Sequence, residues 1–145
     1  MDTKLAWAVV IGVIVVGGIA TAREERTRRK RLDRLFEGRE ALSAEEFGKR
    51  HFAGAEAEIA ARVRDILAEQ LGVDCSRVAP DDDFADEVEL AHPLDSMDVV
   101  EFVMAIESAF QVTIPDREAG ELRNIRDLVH YLCARRVAAD RTRST

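Results

Sequence analysis

The chain has 145 residues, enough for one small domain with accessory sequence. Hydrophobic residues make up 47% and charged residues 34%, as in a folded protein, while aromatics reach only 6%, so any core must be mainly aliphatic. A formal net charge of −7 argues against nucleic acid as the principal partner, because neutralising phosphates needs a basic surface. Two cysteines, Cys75 and Cys133, are too few for a disulfide scaffold.

The charge is unevenly distributed. Residues 1–54 hold 11 Lys/Arg against 8 Asp/Glu, whereas residues 55–139 hold 8 Arg against 19 Asp/Glu. A basic first third and an acidic remainder are expected to meet different partners. Residues 5–22, LAWAVVIGVIVVGGIATA, form an 18-residue run without a charge. As a helix this run spans roughly 27 Å, close to the hydrocarbon thickness of a bilayer. Its many Val and Ile residues suit lipid, where helix is the one single-segment structure that satisfies the backbone. Ala20-Thr21-Ala22 also has the form of a signal-peptide cleavage site. Against cleavage stand the six Lys/Arg of residues 23–31, compared with Lys4 alone before the run. That asymmetry favours a retained single-pass transmembrane anchor with the following residues in the cytoplasm, the basic stretch lying against anionic headgroups.

A connector follows over residues 23–54. Leu32, Leu35 and Phe36 have helical spacing, and Ser43-Ala44-Glu45-Glu46 forms a capping box that starts a second helical stretch. Phe47 and Phe52 suit packing on a neighbouring surface. Gly48 and Gly54 weaken the helix, which predicts a tether or spacer.

The acidic part reads as all-α. Ile59, Val63, Ile66, Leu67 and Leu71 make an amphipathic stripe that Gly72 is placed to terminate. Residues 73–95 have no stripe, with Val78, Phe84, Val88 and Leu90 as scattered apolar anchors between Pro80 and Pro93. A second helix is predicted from about Ser96 to Ala109. Its apolar residues, from Met97 to Ile106, exceed what one face can bury, so some are expected to stay exposed as a docking surface. Ile114-Pro115-Asp116 begins a short turn or helix, and Asn124 caps a last helix carrying Ile125, Leu128, Val129, Tyr131 and Leu132. Residues 138–145 read as a disordered tail.

Ser96 places a hydroxyl where a helix offers unpartnered N–H groups and the positive end of its dipole, a suitable position for a phosphate ester. Asp-Ser before a helix is also ordinary capping chemistry. The surrounding order of features resembles the acyl carrier protein family. It includes Gln70-Leu71-Gly72-Val73, Phe84, the run Asp95-Ser96-Met97-Asp98-Val99-Val100-Glu101-Phe102-Val103-Met104-Ala105-Ile106-Glu107, then Phe110, Ile114-Pro115-Asp116 and residues 125–132. The likeness spans about 80 residues. It implies a small four-helix bundle over 55–137, preceded by the anchor and the helical linker. It also implies that Ser96 receives 4′-phosphopantetheine from coenzyme A through a phosphopantetheinyl transferase. The thiol of that arm holds acyl groups as thioesters, for fatty-acid, lipid or polyketide-type synthesis. The resemblance makes Met97, Val100 and Met104 the apolar docking positions. Asp95, Asp98, Glu101 and Glu107 become the acidic rim that meets basic patches on acyl-loading and acyl-using enzymes. Acids so placed steer encounter more than they tighten binding.

The chain departs from the family by about four extra residues between Phe84 and Ser96 and by His92-Pro93-Leu94 before Asp95. That bears on which transferase and partners recognise it. Two other readings share the residues: an aminoacyl or peptidyl carrier, and a single-pass helical adaptor in which Ser96 is only a cap. No catalytic set is apparent, so the chain is not read as an enzyme. No metal site is expected either: around Asp81-Asp82-Asp83, the EF-hand positions for Gly and Glu are held by Asp86 and His92. His51, His92 and His130 lack ligand spacing.

Overall fold

The computed structural model describes residues 23, 26, 27, 29, 30, 33–72, 74–83 and 96–143, with 96–99, 142 and 143 described as backbone only. The expected anchor at 5–22, the loop residues 84–95 and the last two residues lie outside this set. Five helices are fully bounded within the described residues, in chain order: α1 Ala44–His51, α2 Ala55–Leu71, α3 Ser96–Phe110, α4 Asp116–Ala119 and α5 Ile125–Arg143. Helical backbone also occurs at Arg23, Arg26, Thr27, Arg29, Lys30 and 33–35. Among the described residues there is no strand, and no helix is long and apolar enough to cross a membrane.

Local chemistry sets the ends of the helices. Ser43 and Glu46 form the reciprocal capping box: the Glu46 N–H donates to Ser43 Oγ at 3.2 Å and the Ser43 N–H to Glu46 Oε2 at 2.9 Å. Gly72 ends α2 in the left-handed region at φ 62°, a conformation that costs residues with a Cβ. Asn124 Oδ1 accepts the Asp127 N–H at 2.8 Å and opens α5. α5 continues to Arg143, into the segment read from sequence as a disordered tail. Ala134, Arg135, Arg136, Ala138 and Ala139 are good helix formers, and they extend a helix already nucleated.

The core is chiefly aliphatic. Val63, Ile66 and Leu67 of α2 meet Ile106 of α3 and Ile125, Leu128, Val129 and Leu132 of α5, all at most 4% exposed. α2, α3 and α5 supply this core, and the four-residue α4, which has no buried residue, lies at the edge of the bundle with Ala119 packed against it.

The connector differs from the spacer its glycines suggested. Phe36, Leu42, Phe47 and Phe52 are buried in the same cluster as the bundle core, with Phe47 fully inaccessible. The reason lies in the apposition of α1 and α2. A Cβ on Gly48 would stand 2.2 Å from the Ala57 carbonyl oxygen, so this glycine permits backbone contact instead of loosening the helix. α2 accommodates the neighbour with a second, small-residue face. Ala57, Ala60 and Arg64 follow i, i+3, i+7 spacing beside the main apolar stripe. Arg64 is only 5% exposed. Its guanidinium lies 4.8 Å from the Phe47 ring centroid and donates to the Leu42 carbonyl at 2.5 Å and the Ser76 carbonyl at 3.4 Å.

Candidate carrier site

The segment 74–83, which starts the connection from α2 towards α3, is fastened at several points. The Asp74 carboxylate accepts the Ser76 N–H at 2.8 Å, which holds its pKa below the ordinary value. Leu42 N–H donates to the Ser76 carbonyl at 2.9 Å. Three consecutive acids each pair with an arginine. Asp81 takes a two-pronged contact from Arg126 at 2.6 and 2.9 Å, Asp82 meets Arg39 at 2.6 Å, and Asp83 meets Arg123 at 2.6 Å. Asp82 is also buried and accepts the Ala79 N–H at 2.8 Å. These acids are therefore structural anchors, and no group of His, Cys, Asp and Glu suited to a metal occurs among the described residues.

α3 begins at Ser96, the residue singled out by the sequence. Its first turn presents backbone N–H groups without intrahelical acceptors, and the helix dipole favours an anion there. A phosphodiester on the first residue of a 15-residue helix is compatible with that donor set. The side chains of Ser96, Met97 and Asp98, and all of Asp95, lie outside the described residues.

From Val100 onward the orientation of α3 is defined. Phe102 and Ile106 point into the core, with exposures of 8% and 0%. Val100 and Met104, one turn apart, are 54% and 61% exposed, and Glu101 beside them is exposed. The expected surplus of apolar residues on this helix is thus real, and it takes the form of a narrow stripe edged by acid.

Glu107 has a different environment from Glu101. It is half-buried, and its Oε1 accepts the Ile114 N–H at 2.6 Å, closing the turn that follows α3. Its carboxylate is engaged within the fold, unlike a rim acid held out to a partner. The same turn contains Gln111 at φ 54°, an unfavourable value for a residue with a Cβ, and its side-chain amide donates to the Ser108 carbonyl at 2.8 Å. α4 is held to α5 through Glu118, which accepts from Tyr131 Oη at 2.5 Å and Arg135 Nη2 at 2.9 Å. These donors keep the Glu118 carboxyl below its ordinary pKa, while burial and the carboxylate raise that of Tyr131.

The other reactive side chains have structural surroundings. Cys75 and Cys133 are both unpaired thiols; Cys75 is buried, and burial pushes its pKa up to about 12. His51 packs against the Phe47 ring at 5.3 Å, and burial followed by the nearby Arg126 lowers its pKa. Sequence reasoning missed the roles of Arg39 and Arg64. The available signal was the second small-residue face of α2 together with Phe36, Phe47 and Phe52 in the supposed linker.

Comparison with known proteins agrees with this geometry. The family described as "Phosphopantetheine attachment site" matches residues 61–132. A protein named acyl carrier protein from Syntrophobacter fumaroxidans is 42% identical over 77 residues, covering 53% of this chain and 90% of the relative. Its namesake from Guillardia theta is 44% identical over 84 residues, covering 58% and 98%. A third, from Clostridium acetobutylicum, is 37% identical over 73 residues, covering 50% and 90%. The chain belongs to the acyl carrier protein family. It is a carrier and not a catalyst, and its prosthetic group is a covalently attached 4′-phosphopantetheine, whose thiol supplies the thioester chemistry.

Proposed function

We propose that Ser96 is the attachment point of that prosthetic group and that the chain is a membrane-anchored acyl carrier with its carrier domain in the cytoplasm. The observation that carries the assignment of the serine is its place at the start of α3. Three serines fall within residues 61–132. Ser76 sits in the fastened segment 74–83, and Ser108 lies in the last turn of α3, where the negative end of the dipole disfavours an anionic substituent. Of these three, Ser96 alone stands at the positive end of a helix.

In the attachment step, the serine oxygen bonds to the coenzyme A phosphorus that bears the pantetheine. The pyrophosphate P–O bond breaks, adenosine 3′,5′-bisphosphate departs, and the hydroxyl proton passes to solvent. A phosphopantetheinyl transferase performs this step. Acyl-loading and acyl-using enzymes then approach the stripe formed by Val100, Met104 and Glu101, with Asp95, Met97 and Asp98, sequence neighbours of Ser96, as the other expected docking residues. The anchor is supported by the uncharged run at 5–22 and the six cations behind it. An anchored carrier suits substrates or enzymes located at the bilayer, as in lipid synthesis.

Intact-mass measurement of the full chain after incubation with coenzyme A and a transferase tests the site. One phosphopantetheine is expected on the wild type and none on Ser96→Ala; an addition that persists in the variant refutes the assignment. The mass of the native protein and its partition into membranes test the anchor, since cleavage after Ala22 shortens the chain.

A further inference from the structure

The joint between the N-terminal extension and the bundle is built at three levels. At the backbone, Gly48 lies directly against Ala57, and the Leu42 N–H is bonded to the Ser76 carbonyl at 2.9 Å. In the core, Phe36, Leu42, Phe47 and Phe52 share one cluster with α2 and α5, and the Arg126 guanidinium lies 5.3 Å from the Phe52 ring centroid. Around the edge, Arg39 reaches Asp82 at 2.6 Å and Asp33 reaches Arg77 at 2.5 Å. Arg64 joins the first two levels. Its charge is buried without a carboxylate at ion-pair distance among the described residues, and its hydrogen bonds go to carbonyls supplied by the extension and by the 74–83 segment.

This arrangement is the opposite of a tether. A flexible spacer leaves few buried apolar groups and many solvent-exposed backbone bonds. Here the extension supplies three of the phenylalanines of the core. The family match begins at residue 61, inside α2, so this layer lies wholly outside the matched span.

We propose that residues 33–52 and the bundle move as one body, so that the outer face of α2 is closed to partner enzymes and large displacement of the cargo falls to the prosthetic arm. Partners then meet the carrier on the α3 side, at Val100, Glu101 and Met104, in a fixed relation to the segment that enters at residue 33. The last clause rests on the reading of Ser96 as the arm's graft point; the joint itself does not.

Native-state hydrogen exchange of the full chain in a membrane mimetic tests the joint. The amides of Leu42, Phe47 and Phe52 report the extension, and those of Val63 and Leu128 report the bundle. If they form one body, the two sets exchange within about tenfold of each other, because both open with the whole domain. Exchange of the extension amides more than about a hundredfold faster overturns the proposal. Gly48→Val, which drives a side chain into the Ala57 carbonyl, is expected to erase protection in α1. Retained protection in that variant also counts against the joint. Adding a phosphopantetheinyl transferase to the wild type is expected to shift resonances along α3 and none at Ala57 and Ala60 on the covered face of α2; shifts there refute the closed face. The Ser96→Ala mass experiment is independent of all of these: fast exchange with an addition lost in the variant sinks the joint alone, and slow exchange with an addition that persists in the variant sinks the graft point alone.

Discussion

Phe47→Ala in the full chain distinguishes an integral α1 from a loosely docked one. Phe47 is fully buried, with His51 and Phe52 rings at 5.3 and 6.1 Å and the Arg64 guanidinium 4.8 Å from its centroid. Truncating a buried phenylalanine costs about 3–5 kcal/mol through lost transfer energy and the cavity left behind. Losing the ring beneath a desolvated cation adds roughly 1–2 kcal/mol. Even the low end of that sum, about 4 kcal/mol, is a large share of a total stability of about 5–15 kcal/mol. With a urea slope of about 2 kcal/mol/M, the unfolding midpoint falls by about 2 M. Two probes decide the matter: far-UV circular dichroism for all helices, and the ring resonances of Tyr131, the one tyrosine, for the α4–α5 contact. If the extension belongs to the fold, both transitions move down together. If α1 were separately docked, the variant would merely release it, and the Tyr131 transition would shift by less than about 0.5 M. That result refutes the reasoning.

Two further outcomes follow from the site. Glu107→Ala removes the acceptor of the Ile114 N–H and is expected to cost about 1–2 kcal/mol in urea unfolding, with Glu107→Gln recovering most of it. Unchanged stability together with weakened partner binding would return Glu107 to the docking rim. Cys75, with its thiol pushed up to about 12 from an ordinary 9.0, is expected to resist iodoacetamide at pH 8 while Cys133 is labelled first. The folded state holds the Cys75 proton more tightly than the unfolded state does. Its contribution to stability is therefore complete below about pH 9 and is lost as pH rises to about 12, a slope that Cys75→Val should lack.

The helices of the bundle were legible because their signals are local. A capping box, a left-handed glycine and an Asn cap each act within four residues, and Ser43, Gly72 and Asn124 all fulfil their expected roles. Ser96 was legible as a helix start for the same reason. The relation between α1 and α2 was not, because it depends on a contact between residues nine positions apart on two different helices. Read within its own helix, Gly48 is a weak point; read against Ala57, it is what lets the helices touch. Arg64 was unreadable for a similar reason: an arginine on a helix face normally projects into water, and Phe47 with the Leu42 and Ser76 carbonyls explains its burial.

The acidic charge of the bundle must likewise be divided by position. The sequence offers one acidic surface for steering partners, yet Asp81, Asp82, Asp83 and Glu118 are each turned towards an arginine, and Glu107 towards a backbone N–H. Charges neutralised at 2.6–2.9 Å contribute little field at a distance, since an approaching enzyme meets dipoles instead of monopoles. What remains on the defined part of α3 is Glu101 beside Val100 and Met104. On the described part of α3 the surface open to the proposed partners is thus a small apolar stripe with one exposed acid. A carrier that must release each partner after a transfer is well served by so small a patch, because modest apolar area gives fast dissociation while the arm delivers the cargo.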